Sequence, residues 1–186
     1  MTKNEVKASK TISYALRHNP AEFGITLDKE GWVDIGMFIA ALMRHGCVVT
    51  RNQIQKIIAE SDKKRFEIRD NNIRATYGHT VEQKIEYSPA VPPAILYHGT
   101  SHKAVEKIMG ELEGLVPMNR QYVHLSSELK TAIKVGRRHD ESPVILLIDA
   151  IRMHHDGHSF FHTANDTTWL CKKVSVSYII GQREDV

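Results

Sequence analysis

Two cationic clusters and two histidine-bearing strand ends carry most of the chemistry this sequence can offer. Leu16-Arg17-His18-Asn19-Pro20 sets a guanidinium beside an imidazole at the expected end of a helix, where Pro20 stops it. Arginine presents a planar, permanently charged fork that fits phosphate oxygens, and histidine can transfer a proton near neutral pH. The plainer reading is a cationic helix C-terminus, favourable to the helix dipole. A second cluster, Lys63-Lys64-Arg65-Phe66, is followed by Arg69 and Arg74 and closed by Gly78-His79. Such a set can grip a nucleic-acid backbone, or simply be solvated charge on an exposed hairpin.

Tyr97-His98-Gly99-Thr100 stands where a strand ends before a helix. A glycine there lets a ligand approach the backbone closely, and the helix start offers amides to a pyrophosphate. The situation recurs at Tyr122-Val123-His124-Leu125-Ser126-Ser127, with Arg120 just upstream and able to reach the same ligand. His154, His155, His158 and His162 invite a metal reading, but with Asp156 and Gly157 among them the run looks like a loop and has no cysteine, so no metal is expected.

These residues need a scaffold, and the chain has the means to build one. Its 186 residues, 41% hydrophobic and 25% charged, are enough for one sizeable domain or two small lobes with their own cores. No stretch reaches the roughly 20 apolar residues of a membrane span, and the start MTKNEVKASK has no signal-peptide apolar run, so a soluble, cytoplasmic protein is expected. Cys47 and Cys171 are too few for a disulfide framework and read as buried thiols. Residues 1–79 hold 13 Lys and Arg against 9 Asp and Glu, while residues 80–186 hold 12 against 13. A basic first half suits a polyanion, though solvated surface charge explains it almost as well.

Helical spacing of Ile12, Ala15 and Leu16 predicts a first helix from Lys7 to His18. GITLDKEGWVDI reads as a short strand and a turn at Lys29-Glu30-Gly31, leading to a helix over 36–44 that Gly46 closes. Thr50 to Gln53 forms a T-x-x-Q capping box for a third helix ending near Ser61. RFEIRDNNIRATYG reads as a hairpin turning at Asp70-Asn71-Asn72, and helices followed by a hairpin suggest a winged helix. The proline-rich run 80–94 reads as a linker. Beyond it ILYHGT, YVHLSS, PVILLIDAI and TTWLCKKVSVSYII read as strands, and SHKAVEKIMG and ELKTAIKVGRR as helices, so the expected class is α+β.

Together these segments resemble the NAD-dependent RNA 2′-phosphotransferase family, Tpt/KptA, over about residues 9–180. The likeness rests on four motifs in the family's order, SYALRHNP, SDKKRF, YHGT and NRQYVHLS, with GWVDI between the first two and IRATYGHT closing the first lobe. The resemblance implies a winged-helix-like RNA lobe over 1–79, a linker over 80–94, and an ADP-ribosyltransferase-like NAD lobe over 95–186. It implies a catalytic tetrad of Arg17, His18, Arg65 and Arg120. NAD contacts are implied at His98, Gly99, Thr100, His124, Leu125 and Ser126, and RNA contacts at Lys64, Arg69, Gly78 and His79. Tyr77 departs from the Gln that many members carry before the Gly-His pair.

The implied activity removes an internal RNA 2′-phosphate, consuming NAD without metal. It passes through an ADP-ribosylated RNA 2′-phosphate and yields 2′-hydroxyl RNA, ADP-ribose 1″,2″-cyclic phosphate and nicotinamide. Fungal members act on spliced tRNA, and tRNA is one candidate substrate. Two lobes with polar surfaces call for no partner, so a monomer is expected. The alternatives are a transferase that stops after ADP-ribosylating a terminal nucleic-acid phosphate, and a non-catalytic RNA-binding protein.

Overall fold

A computed structural model of the chain describes residues 1–61, 64–111, 113–165 and 167–184. Lys63, and with it part of the SDKKRF motif, lies outside the described residues. The chain divides into two compact units, Met1–Glu86 and Tyr87–Val186, each mixing helix and sheet.

In the first unit α1 spans Lys3–Arg17, four residues earlier than the apolar spacing predicts. The extension has a local cause: Thr2 accepts the Glu5 amide while the Glu5 carboxylate accepts the Thr2 amide at 2.6 Å, a capping box that satisfies two otherwise unpaired donors. A 3-10 turn, Ala21–Phe23, ends at Gly24 in the left-handed region. The strand expected next is absent; Ile25 and Leu27 are buried without entering a sheet, and the turn before Trp32 is made by Asp28 and by Gly31 at φ 84°. Then follow β1 (Val33–Asp34), α2 (Ile35–Arg44) capped by the Asp34 carboxylate, and α3 (Arg51–Glu60) capped by the Thr50–Gln53 box. The hairpin β2 (Phe66–Arg69) and β3 (Asn72–Ala75) completes an antiparallel sheet of order β1-β3-β2.

The apolar faces of these helices and of the hairpin meet in one core containing Ile12, Leu16, Phe38, Leu42, Ile54 and Ile73. Each such side chain contributes roughly 1.5–3 kcal/mol by leaving water. Residues 80–86 stay with this unit. The Thr80 amide donates to the Arg17 carbonyl at 2.9 Å, the Glu86 amide donates to the Lys29 carbonyl at 2.8 Å, and Ile85 is fully buried.

The second unit contains β4 (Pro89–Ala90), β5 (Ile95–Thr100), α4 (His102–Met109), β6 (Gly114–Leu115), β7 (Val123–Ser126) and α5 (Leu129–Gly136). Next come β8 (Val144–Asp149), α6 (Ala150–His155), β9 (Phe160–His162), β10 (Thr168–Cys171), β11 (Val174–Ser175) and β12 (Ile179–Glu184). Seven strands form one antiparallel sheet of order β12-β8-β5-β7-β10-β9-β4, and β11 pairs with β6 apart from it.

Two expected strands prove composite. The Asp149 carboxylate accepts the Arg152 amide and starts α6, which ends the run PVILLID before Ala150. The run from Thr168 to Ile180 divides into β10, β11, a 3-10 turn and the start of β12. Leu96, Leu146, Ile148, Phe160 and Cys171 lie in the core beneath the sheet. Cys171 is buried as expected and its thiol is pushed up to about 12 by desolvation, whereas Cys47 is only half-buried. No described helix is long and apolar enough to cross a membrane.

Candidate functional site

At the C-terminal end of α1 the first unit brings three of the predicted residues together. The Arg17 guanidinium donates through Nη2 to the Arg65 carbonyl at 3.1 Å, and that carbonyl also accepts the Thr76 amide at 3.0 Å. Arg17 also lies over the Tyr77 ring, Cζ to centroid 4.9 Å, so the residue that departs from the family pattern packs against it. Arg65 in turn donates through Nη1 to the Ser61 hydroxyl at 2.6 Å. His18 follows directly as the cap of α1, its amide on the Tyr14 carbonyl at 2.9 Å and its Nδ1 2.8 Å from the Thr80 hydroxyl. Arg17 and His18 are consecutive, Arg17 reaches the main chain of Arg65, and each of the three side chains is held by a main-chain carbonyl or a hydroxyl.

The other first-lobe residues divide. Lys64 is joined to the same region, its carbonyl accepting the Thr76 hydroxyl at 2.6 Å. His79 is buried at 3% exposure, and Gly78 before it has φ 85°, a left-handed turn that a side chain would strain. Arg69 belongs elsewhere: it lies over the Trp32 ring at 4.6 Å, with Arg74 over the same ring at 4.3 Å, and lines an open cleft of about 820 Å³ with Trp32, Asp34 and Met37. Neither Arg17, His18 nor Arg65 lines that cleft.

In the second unit the two histidine-bearing motifs are neighbours, because β5 and β7 pair at Tyr97 and Ser126. His98 Nδ1 is 3.0 Å from the His124 carbonyl, and His124 Nδ1 is 3.0 Å from the Tyr122 carbonyl. A carbonyl only accepts, so each ring carries a hydrogen on Nδ1. Burial holds the His98 pKa below the usual imidazole value, which keeps the ring neutral. Thr100 and Ser126 are buried, and the Ser126 hydroxyl is turned into the start of α5, donating to the Glu128 carbonyl at 3.0 Å. Leu125 is a core residue at 3% exposure.

Gly99 has a structural duty. A Cβ on it would stand 2.0 Å from the Ala132 carbonyl oxygen of α5, so glycine is what lets that helix lie against β5. The two helix starts differ: Ser101 caps α4 by accepting the Ala104 amide, while Glu128 gives α5 no side-chain cap. Arg120 is exposed, on a turn in which its amide donates to the Pro117 carbonyl at 3.0 Å and Met118 adopts φ 53°.

The histidine run is a loop only in its middle, where Asp156, Gly157 and His158 connect α6 to β9. His154 and His155 close α6 and His162 lies on β9, stacked on Trp169 with centroids 4.6 Å apart. Among the described residues no group of three or more His, Cys, Asp or Glu is arranged to hold a metal. Sequence reasoning missed Thr80, though it ends the motif IRATYGHT, and missed Tyr122, whose contribution is a carbonyl that no side-chain pattern reveals.

Residues 3–173 match the model of a family described as RNA 2′-phosphotransferase, Tpt1/KptA family. The chain is 46% identical over 174 residues to a probable RNA 2′-phosphotransferase of Pseudomonas aeruginosa, covering 92% of this chain and 93% of that one. It is 43% identical over 177 residues to one of Acetivibrio thermocellus, covering 93% and 94%, and 42% identical over 174 residues to one of Streptomyces coelicolor, covering 94% and 93%.

Proposed function

The chain belongs to the RNA 2′-phosphotransferase, Tpt1/KptA family, and on that premise we propose that it removes an internal RNA 2′-phosphate by transferring it to NAD. The first unit serves as a winged-helix-like RNA lobe. The second is an ADP-ribosyltransferase-like NAD lobe, with the junction inside the segment 80–94. The protein acts as a cytoplasmic monomer on an RNA such as tRNA, and needs no metal.

The observation that carries this reading is the grouping of Arg17, His18 and Arg65 at the end of α1. A phosphate already bears nucleophilic oxygens, so a site that attacks with one needs positioning and positive charge more than a general base. In the first step a 2′-phosphate oxygen bonds to the anomeric carbon of the nicotinamide ribose. The carbon–nitrogen bond breaks, its electron pair leaves with neutral nicotinamide, and no proton moves. In the second step the phosphorus bonds to the ribose 2″-oxygen and releases the RNA 2′-oxygen. The 2″-hydroxyl proton goes to water, and the RNA oxygen takes one from His18, the only member of the proposed set that gives up a proton near pH 7. Arg17, Arg65 and Arg120 stabilise charge on the phosphoryl oxygens in both steps.

The second unit suits a nucleotide in one respect its own residues supply. His98, whose ring burial keeps neutral, presents Nε2 as an acceptor, the complement of a ribose hydroxyl, and His124 stands beside it on β7. Gly99, Thr100, Leu125 and Ser126 shape the strands around them.

The test is to incubate the protein with NAD and a short RNA bearing one internal 2′-phosphate, without added metal, and to identify all products by mass. Dephosphorylated RNA, ADP-ribose 1″,2″-cyclic phosphate and nicotinamide are expected. RNA returned with ADP-ribose attached replaces this reading by a single-step transferase, and unchanged RNA removes it.

A further inference from the structure

We infer that Thr80 is a positioning residue for His18, holding the imidazole by Nδ1 so that it meets substrate through Nε2; this rests on the phosphotransfer reading above. Thr80 is tied to the end of α1 twice. Its amide donates to the Arg17 carbonyl at 2.9 Å, and its hydroxyl oxygen lies 2.8 Å from His18 Nδ1, a bond between residues 62 apart in sequence. The chain is delivered there by the left-handed Gly78 and the buried His79. His18 is fixed at its own backbone as well, capping α1 with φ −119°. What remains to be set is the rotation of the ring, and the bond from Nδ1 to the Thr80 hydroxyl, which can accept from Nδ1–H or donate to a bare Nδ1, sets it in either protonation state.

The chemistry follows from which nitrogen is taken. A protonated imidazole has a hydrogen on each nitrogen. Nδ1–H donates to the Thr80 oxygen, and the Nε2 proton passes to the RNA 2′-oxygen as its bond to phosphorus breaks. The ring is left neutral with Nδ1–H still on Thr80, and regains its proton from water. A ring without that partner spends part of its time in another rotamer, aiming the wrong atom. The first step moves no proton, so it is indifferent to Thr80.

Single-turnover measurements on Thr80→Val and Thr80→Ser, with the two steps resolved, test this directly. Valine keeps the shape and removes the hydroxyl; the second step is expected to slow by about tenfold to a hundredfold, with the first step and the KM values for NAD and RNA unchanged, and serine is expected to restore the rate. A valine variant with a wild-type second step overturns the inference, as does a serine variant as slow as the valine one. Ring nitrogen NMR of His18 supplies a readout independent of turnover: the Nδ1 resonance of the protonated ring, whose hydrogen must donate to the Thr80 oxygen, should shift when Thr80→Val removes that acceptor. An unchanged Nδ1 resonance overturns the assignment. Should the wild type yield no cyclic phosphate, the phosphotransfer reading fails, while the Nδ1 resonance still decides whether Thr80 holds the ring.

Discussion

His98 donates its Nδ1 hydrogen to the main-chain carbonyl of His124, 3.0 Å away on the neighbouring strand β7. The bond ties the two motifs to each other, so a disturbance of either strand reaches both histidines. It also has a pH signature. Burial lowers the folded-state pKa of His98 below the ordinary imidazole value of 6.5, so as pH falls the unfolded chain takes up its proton first. The unfolded state then holds more protons, and stability declines with falling pH. The contribution of a neutral His98 is therefore fully present above pH 6.5 and is lost below it. His98→Asn keeps a donor for the His124 carbonyl and does not titrate. Thermal unfolding between pH 5 and 8 should show a shallower acid loss in that variant than in the wild type, and parallel curves would mean that His98 is not the group responsible.

Gly99→Ala should be costly. The added methyl group would stand 2.0 Å from a main-chain oxygen of α5, which a rotamer change cannot relieve. Overpacking of this kind costs about 3 kcal/mol, and a lowering of Tm by on the order of 10 °C is expected. A Tm within a degree or two of the wild type would show that α5 does not rest on β5 as described.

Arg120→Ala separates chemistry from folding. The side chain is exposed on a turn, so stability should change by about 0.5 kcal/mol or less. Turnover should fall by about a hundredfold or more, with ADP-ribosylated RNA accumulating or both steps lost. Normal turnover at normal stability takes Arg120 out of the site.

RNA binding should weaken with salt. Residues 1–79 carry the cationic excess, 13 Lys and Arg against 9 Asp and Glu. Each phosphate contact on a single strand contributes about −0.7 to the slope of log affinity against log salt. Titrations of a 2′-phosphorylated oligonucleotide at several ionic strengths measure that slope, and a flat response would make the basic half ordinary surface.

The parts of the fold legible in the sequence are those with local causes. The Thr50–Gln53 box and the Gly31 turn are each written within a few residues, and both occur where the spacing predicts. The same box at Thr2 and Glu5 marks the start of α1, but polar residues between it and the apolar stripe obscure it. Asp149 reads as part of a strand because its neighbours are apolar, whereas its carboxylate caps a helix. At the candidate site the side-chain types were legible and their supports were not. Arg17 rests on a carbonyl 48 residues away and His18 on a hydroxyl 62 away, and neither spacing has a periodic signature. Gly99 is the instructive case, since a glycine explained by ligand approach is required by a helix behind the strand.

The strand order of the second unit has a bearing on how the protein is made. Its first strand, β4, and its last, β12, form opposite edges of the seven-stranded sheet. On a ribosome the chain emerges in order, so β8, with the apolar run Val144-Ile145-Leu146-Leu147-Ile148, is synthesised some thirty residues before β12 arrives to pair with it along Ile148 to Val144. An open apolar edge is a template for unwanted pairing with another chain. Until residues 179–184 leave the exit tunnel, the nascent sheet is sticky on that side, and a nonsense codon just ahead of β12 would release a product bound for aggregates and proteolysis.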